Sequence, residues 1–406
     1  MKTAFDLNLR HLGAIVAIAH RGSISAASAA VNLSQPALTQ ALAKMEQMLG
    51  HDLFDRQPGG AVPTAAGAMF VSRAERALGL IVEGGRLLRR GARLPPIAHL
   101  DRSVSMIQLR ALATVERAGS YALAAREVGL SQPSVHRAVK ELEAILGVPL
   151  LVRAGRTMRA TAAAERIVRA IRLAARELQA GLDELEAVTR AGAGQVAIGS
   201  LPLARAALLP TALGTFAAAF PHAQIRVVEG LYAELLAALR QGDIDILLGA
   251  LRDPAGTPDI VQTPLFADEL SIVARAGHPL AGRARPTLAE LAAYPWVINP
   301  PGAPIRDKWE GLFRSGAMEP PALRIECGSI LVIRGLLLEG DWLALMSQDQ
   351  YRLEQDSGLI APLGGPVPGS LRQIGIATRS GWRPTAAQAA MIGVLETLAA
   401  ARTSGI

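Results

Sequence analysis

The side chains this chain offers for chemistry are mostly cations, and they are unevenly placed. Residues 1–190 hold 25 Lys and Arg against 16 Asp and Glu, a net of +9, while residues 191–406 hold 17 against 19, a net of −2. All of the +7 on the 406 residues therefore sits in the first half. A basic half joined to a near-neutral half suits a polyanion-binding part coupled to a part with another task. A solvated Arg-rich helical surface would give the same charge. Patterns for catalysis are missing: no GxSxG, HExxH or GxxxxGK[ST] occurs, and no acid pair converges with a base. Gly192 to Ala197 reads GAGQVA, a relaxed dinucleotide fingerprint, but it precedes a strand instead of following one and so reads as a hinge. The seven His residues are scattered, with His278 before Pro279. The single cysteine, Cys327, excludes an internal disulfide framework and a Cys-rich zinc site. It reads as a small core residue, with a redox-sensing thiol as the alternative. No catalytic residue, metal or cofactor is expected.

Composition bounds the rest. A chain of 406 residues, half apolar and 4% aromatic, is long enough for two to four packed domains. The opening MKTAFDLNLRH lacks a signal-peptide pattern, and no run of eighteen apolar residues could span a bilayer. The expected location is the cytoplasm, without membrane contact.

The elements that would position the cations are written twice. Sliding the chain by 97 residues places Leu12 on Leu109, Gly22-Ser23 on Gly119-Ser120 and Leu33-Ser34-Gln35-Pro36 on Leu130-Ser131-Gln132-Pro133. The same shift places Glu46, Leu49, Gly50, Leu53 and Arg56 on Glu143, Leu146, Gly147, Leu150 and Arg153. The period is far longer than a solenoid repeat, so a whole domain is duplicated. In copy one, Leu12, Ile15, Val16 and Ala19 recur at helical spacing until Gly22. Ser23 caps a second helix, Ile24 to Val31, and Ser34 caps a third, with Pro36 in its first turn, where a missing N–H costs nothing. That helix carries Leu38, Leu42, Met45 and Leu49 on one face and ends at Gly50. Copy two repeats these devices, with Val135, Val139, Leu142 and Leu146 on the apolar face and Gly147 at the end.

Two short helices, a tight turn and a third helix with a free polar side form a helix-turn-helix pattern. Ser-Gln-Pro alone marks only a helix start; two copies on one skeleton say more. Leu53 to Arg56 with Gly59 to Pro63, and Leu150 to Arg153 with Gly155 to Arg159, read as β-wings. Long Ala-rich helices follow, Thr64 to about Arg90 and Thr161 to about Arg190. The second sets Ile167, Ile171, Leu178, Leu182 and Leu185 in a near-heptad stripe suited to a seam between two chains, or else to packing within its own domain. RRGARLPP, Arg89 to Pro96, is a linker.

From Gln195 the period changes. Runs of strand length (Val196–Gly199, Ile225–Val228, Ile244–Leu248, Leu270–Val273, Trp296–Ile298, Leu323–Ile325, Trp342–Leu345 and Leu371–Ile376) alternate with helical stretches at Leu208–Phe220, Leu231–Arg240, Ser329–Leu338 and Thr385–Ala401. That alternation predicts a parallel or mixed sheet with helices on both faces.

The stretches GSISAASAAVNLSQPALTQALAKMEQMLGHDLFDR and GSYALAAREVGLSQPSVHRAVKELEAILGVPLLVR, with the α/β region behind them, resemble the LysR-type transcriptional regulators over nearly the whole chain. Residues 106–406 alone have the family's usual length, so copy one looks like an appended head. DIDILLGAL, PLFADELSIVARAGHPLA and INPPGAPIR look like the family's effector domain, most like the subgroup named for a regulator of a galactose-binding protein. The resemblance implies two tandem winged helix-turn-helix domains, linker helices and a two-lobed effector domain like a periplasmic binding protein, an α/β fold behind an all-α N-terminal part. The implied division is 1–63, 64–104, 105–160, 161–192 and 193–406, with lobe I at about 193–265 and 367–406 and lobe II at about 266–366.

By the same resemblance, Ser34, Gln35, Pro36, Thr39, Gln40, Lys44 and Arg56 of copy one would meet DNA, as would Ser131, Gln132, Pro133, His136, Arg137, Lys140, Arg153 and Arg156 of copy two. The chemistry is compatible: Gln reads adenine bidentately, Arg reads guanine, and a capping Ser at a helix N-terminus holds a phosphate. Copy two carries Arg153, Arg156 and Arg159 in its wing where copy one has Arg56, so copy two is expected to grip the backbone more strongly. It also has His136 at a usual Ser or Thr, and TAAAE where TPAGE is usual. An effector, a sugar or organic acid, would sit between the lobes near Ser200, Leu201, Pro202, Leu203, Gly249, Ala250, Pro301, Ile305, Arg306, Ser329, Ile330 and Met346. The implied partners are double-stranded promoter DNA, the small-molecule effector, a homodimer or homotetramer, and RNA polymerase. The alternatives are a DNA-binding scaffold whose α/β domain senses nothing, and a small-molecule-modifying enzyme.

Overall fold

Each capping device in the repeated phrase forms in the computed structural model, which describes residues 2–57, 60–204, 206–252 and 257–403. In the first head, α1 (Leu9–Arg21) closes on left-handed Gly22, and Ser23 Oγ accepts from Ala26 N to start α2 (Ile24–Val31). Ser34 Oγ accepts from Ala37 N to start α3 (Gln35–Leu49). The wing follows as β1 (Phe54–Gln57) and β2 (Gly60–Pro63), then the long helix α4 (Ala65–Gly91). The second head opens on the short α5 (Leu100–Ser103) and repeats the order as α6 (Met106–Ala118), α7 (Tyr121–Val128), α8 (Gln132–Leu146), β3 (Leu151–Ala154), β4 (Thr157–Ala160) and α9 (Glu165–Thr189).

The two long helices start differently, for a steric reason. Thr64 caps α4 directly, because Gly67 lets the first turn lie against the carbonyl of Leu53: a Cβ at Gly67 would stand 1.9 Å from that oxygen. The equivalent residue in copy two is Ala164. There Thr161 closes a separate turn, accepting from Ala164 N, and α9 begins only at Glu165. The TAAAE departure therefore costs copy two its first helical turn.

Both heads and both long helices share one apolar core, running from Ala4 to Leu185. The five residues expected at a seam between chains are covered within the chain. Ile167, Ile171, Leu178 and Leu185 are buried and Leu182 is half-buried, and their helix lies antiparallel on α4. Small residues allow the approach: a Cβ at Gly84 would stand 2.4 Å from Ala170 Cβ, and one at Gly181 would stand 3.0 Å from Phe70 Cδ2.

The remaining chain forms two lobes. Lobe I is a five-stranded sheet in the order β6-β5-β7-β14-β8, from β5 (Ala193–Ser200), β6 (His222–Glu229), β7 (Ile246–Ala250), β8 (Ile260–Asp268) and β14 (Arg372–Arg379). The β5-β6 and β5-β7 pairs are parallel; β14 runs antiparallel to β7 and β8. Its helices are α10 (Leu208–Ala219), α11 (Tyr232–Gln241) and α16 (Ala386–Thr403). Lobe II holds β9 (Leu270–Arg275) between β12 (Ala344–Ser347) and β13 (Ile360–Pro362), with β10 (Val297–Ile298) beside β11 (Ile325–Glu326). Around them lie α12 (Leu288–Ala292), α13 (Pro304–Ser315), α14 (Ile330–Glu339) and α15 (Gln348–Asp356). Periodicity missed β8 because Pro264 interrupts its pattern. The structure places Pro264 on the sheet edge beside a register shift at Ile374/Gly375, where a missing donor is tolerated. The lobes join at Asp268, which accepts from Ser347 Oγ at 2.6 Å and from Arg372 Nε at 2.8 Å.

Candidate nucleic-acid interface and effector cleft

In each head the third helix buries its apolar face (Leu38, Leu42, Met45, Leu49; Val135, Val139, Leu142, Leu146) and turns its polar letters outward. Ser34, Gln35, Pro36, Gln40 and Lys44 are exposed, and Thr39 is half-buried with its hydroxyl donating to Gln35 O at 2.9 Å. Ser131, Gln132, Pro133, His136, Arg137 and Lys140 are all exposed. His136 leans on the Tyr121 ring, with centroids 5.0 Å apart. Lys140 pairs with Glu143 at 2.6 Å. Arg153, Arg156 and Arg159 are exposed in the second wing, where Arg153 Nε donates to Gly155 O. The side chain of Arg56 lies outside the described residues, as does Gly59 in the first wing turn.

The repeated glutamate has a role the sequence reading overlooked. Glu46 Oε1 accepts from Leu53 N and Phe54 N, and Glu143 Oε1 accepts from Leu150 N and Leu151 N. Each carboxylate ties the third helix to the first wing strand. Burial works against ionising Glu143, but Lys140 and the two backbone donors outweigh it and hold its carboxyl below the usual range. A second tie fixes the wing from its other strand: Ala61 N donates to Gly22 O, and Met158 N donates to Gly119 O. Helix and wing are thus held as one rigid surface in each head. A recurring Glu at a fixed distance before the wing was the available signal.

The α/β region meets the helices through a polar junction. Arg73 of α4 donates to Glu177 of α9 at 3.0 Å, pairs with Glu184, and donates to the carbonyl of Arg383 in the β14-α16 loop. Arg76 donates to Gly381 O, and Arg383 donates to Ser72 Oγ. On α9, Arg169 pairs with Asp259 and Arg176 with Asp245. A cavity of about 130 Å³ lies among these groups, lined also by Asp183 and Arg379. Burial pushes the Asp183 carboxyl up to about 6, and the hydrogen bond from Gln179 and the charge of Arg176 offset this in part. Burial likewise pulls Arg379 below its ordinary value, with Asp245 opposing from 3.8 Å.

The residues expected around an effector fall into three groups. Ser200 ends β5 and Leu201, Pro202 and Leu203 follow it, and Leu201 N donates to Leu248 O. Gly249 and Ala250 end β7 beside them; a Cβ at Gly249 would stand 2.6 Å from Leu201 Cβ. Ser329 and Ile330 open α14, and Pro301 is exposed before α13. The other three are spent on lobe II itself. Met346 is buried in its core with Val273 and Ile333, Ile305 packs on the core around Trp309, and Arg306 is paired with both Glu310 and Glu326.

The fold and these surfaces define a class: two winged helix-turn-helix units on a helical pair, joined to a two-lobed α/β domain. The description "Bacterial regulatory helix-turn-helix protein, lysR family" matches residues 9–68 and again 106–165, and "LysR substrate binding domain" matches 189–400. The "HTH-type transcriptional regulator GalR" of Pseudomonas putida is 33% identical over 393 residues, covering 96% of each chain. The "SDS degradation transcriptional activation protein" of a Pseudomonas species is 31% identical over 296 residues, covering 71% of this chain and 94% of that protein. The solved structure of CbnR, a LysR family transcriptional regulator, is 22% identical with a TM-score of 0.50 over 72% of this chain and 98% of that one, a likeness of fold. The chain belongs to the LysR family of transcriptional regulators, with helix-turn-helix DNA-binding domains and a substrate-binding domain. Among the described residues, no helix is long and apolar enough to cross a membrane.

Proposed function

We propose that this regulator binds promoter DNA through the outward faces of α3 and α8 and adjusts that binding to a small-molecule effector held between its lobes. The observation that carries the reading is the outward set Gln35, Gln40, Gln132, His136 and Arg137 on two buried, Ser-capped helices. Amide and guanidinium groups there offer bidentate contacts to adenine and guanine. Ser34 and Ser131, at helix N-termini, would take phosphates, as would Lys44, Lys140, Arg56, Arg153 and Arg156. The functional division is two heads, 1–63 and 105–160, on linker helices at 64–104 and 161–192, with the effector domain at 193–406.

The effector, a sugar or organic acid, would contact Ser200 to Leu203, Gly249 and Ala250 from lobe I and Pro301, Ser329 and Ile330 from lobe II. Family membership supports a cytoplasmic, non-enzymatic regulator that self-associates and contacts RNA polymerase. The test is binding of a labelled duplex from the protein's own upstream region across a salt series. Affinity should fall steeply as salt rises, because phosphate contacts release counterions. No binding at low salt would sink the reading. Thermal shift against sugars and organic acids, compared with operator affinity, tests the sensing half.

A further inference from the structure

We infer that one chain is a complete two-headed DNA reader: its heads are paired inside the chain across a pseudo-two-fold axis and take two half-sites of unlike sequence. The inference rests on the proposed DNA-binding role of α3 and α8.

The pairing is reciprocal in detail. A shift of 97 residues carries Gly84 onto Gly181 and Arg73 onto Ala170; Gly84 faces Ala170, and Gly181 faces Arg73. Gly84 of α4 thus meets on α9 the counterparts of the residues that Gly181 of α9 meets on α4, the signature of an isologous interface. The N-termini obey the same rule. The turn Ala4–Asp6 packs on α6 and α9 of head two, where Ala4 N donates to Gln179 Oε1 and Arg110 lies over the Phe5 ring. Its equivalent, α5, packs on α1 and α4 of head one, where Leu100 fills the space over Gly85 and Arg102 donates to Ala30 O. The apolar seam of α9 is closed by α4 within the same chain, and both heads share its core. The arrangement is a closed dimer of heads made by duplication instead of association.

An antiparallel pair of helices of 25 and 27 residues is about 40 Å long, and its heads lie at opposite ends. That length is enough to present both heads to one face of a duplex, whose helical repeat is roughly 34–36 Å. A symmetric homodimer reads two identical half-sites; this pair does not carry identical readers. Gln40 and Arg137 are the same position of the repeat, as are Thr39 and His136, and Lys44 and Glu141. Arg156 and Arg159 of the second wing fall on Gly59 and Val62 of the first. Gln favours adenine and Arg favours guanine. The operator that fits is therefore a two-fold pair of half-sites with adenine in one and guanine in the other at the position read by Gln40 and Arg137.

The experiment selects duplexes with the full-length chain, then measures the mass of the tight complex and its hydroxyl-radical footprint. The expected complex has one 42.6 kDa chain for each pair of half-sites, so that self-association of chains joins pairs and adds no second chain to one pair. Arg137→Ala should lose protection at one half-site and Gln40→Ala at the other. The exchange Gln40→Arg with Arg137→Gln should reverse the preferred orientation of the asymmetric operator by about ten-fold or more. Two chains on the half-site pair, or loss of the same half-site in both alanine variants, would overturn the inference while leaving DNA binding intact. Absence of salt-sensitive DNA binding by the unaltered chain would overturn the DNA-binding reading and this inference together. The mass of the complex needs no variant, so poor folding of a substituted chain cannot decide the outcome.

Discussion

Arg73 Nη1 lies 3.0 Å from Glu177 Oε2, which joins the long helix of one repeat to the long helix of the other. Arg73 is 5% exposed, and its guanidinium holds Glu184 and the Arg383 carbonyl as well, so three parts of the molecule meet on one side chain. Burial alone would lower the Arg73 guanidinium; its hydrogen bonds to Glu184 and Glu177 outweigh that and hold it above its ordinary value.

Removing one partner of a buried ionic cluster leaves the others uncompensated, which typically costs about 3–5 kcal/mol. Arg73→Ala should therefore lower stability by that order in denaturant unfolding. The exposed Arg86–Glu83 pair, one turn apart on α4, is the control. Arg86→Ala should leave the transition midpoint within error, because water already solvates both partners. Equal losses in the two variants would refute the central place given to Arg73.

Close approach of α4 and α9 makes a second pair of outcomes. Gly84→Leu drives a side chain into Ala170 and Ile167, and overpacking of this kind typically costs about 1–3 kcal/mol. Gly79, on the same helix, has nothing within 4 Å of its Cβ position. Gly79→Ala should stabilise by about 0.5–1 kcal/mol through helix propensity and a stiffer unfolded chain. Thermal unfolding of both variants reads the contrast; a stabilising Gly84→Leu would mean that the helices are not in contact there.

Local devices were legible in the sequence, and partners were not. Ser23, Ser34, Ser120 and Ser131 cap their helices and Gly22, Gly50, Gly119 and Gly147 end them as their types dictate, because a cap is decided within four residues. The stripe from Ile167 to Leu185 declared an apolar face without saying what covers it; a second chain and the chain's own first repeat write the same stripe. Only the spatial pairing of Gly84 with Ala170 distinguishes them. A sequence does not show that Arg306 pairs with Glu310 and Glu326, or that Met346 lies in a lobe II core, because Glu326 and Val273 are distant from them along the chain.

Asp183 should make stability depend on pH between about 4 and 6. Burial raises its carboxyl from 3.8 to about 6, against the hydrogen bond from Gln179 and the charge of Arg176, with Glu186 and Asp245 adding to the rise. A raised carboxyl pKa means that the folded state binds the proton more tightly than the unfolded one. The charged form is therefore a burden to the fold, growing as pH climbs from about 4 through 6 and constant above. A shift of about two units corresponds to an upper bound of roughly 3 kcal/mol. Asp183→Asn should raise the unfolding temperature at pH 7.5 and give little gain at pH 4. Stabilisation of equal size at both pH values would show that charge is not the cause.

The wings supply the last expectation, because the two heads differ most in cations there. Arg153, Arg156 and Arg159 are exposed on one short hairpin, and the equivalent positions in head one hold Arg56, Gly59 and Val62. Each cation that neutralises a phosphate steepens the dependence of log affinity on log salt by about 0.9 on duplex DNA. Replacing Arg153, Arg156 and Arg159 with Ala should therefore flatten that slope by about two to three and weaken binding to all sequences alike, since phosphate contacts carry no base information. Arg137→Ala should instead relax sequence preference at one base pair with a slope change of one or less. The rigid ties from Glu143 to Leu150 and from Met158 to Gly119 hold the hairpin beside α8, so the slope measures contact, not folding. A slope that the triple replacement leaves unchanged would place the second wing away from the DNA backbone.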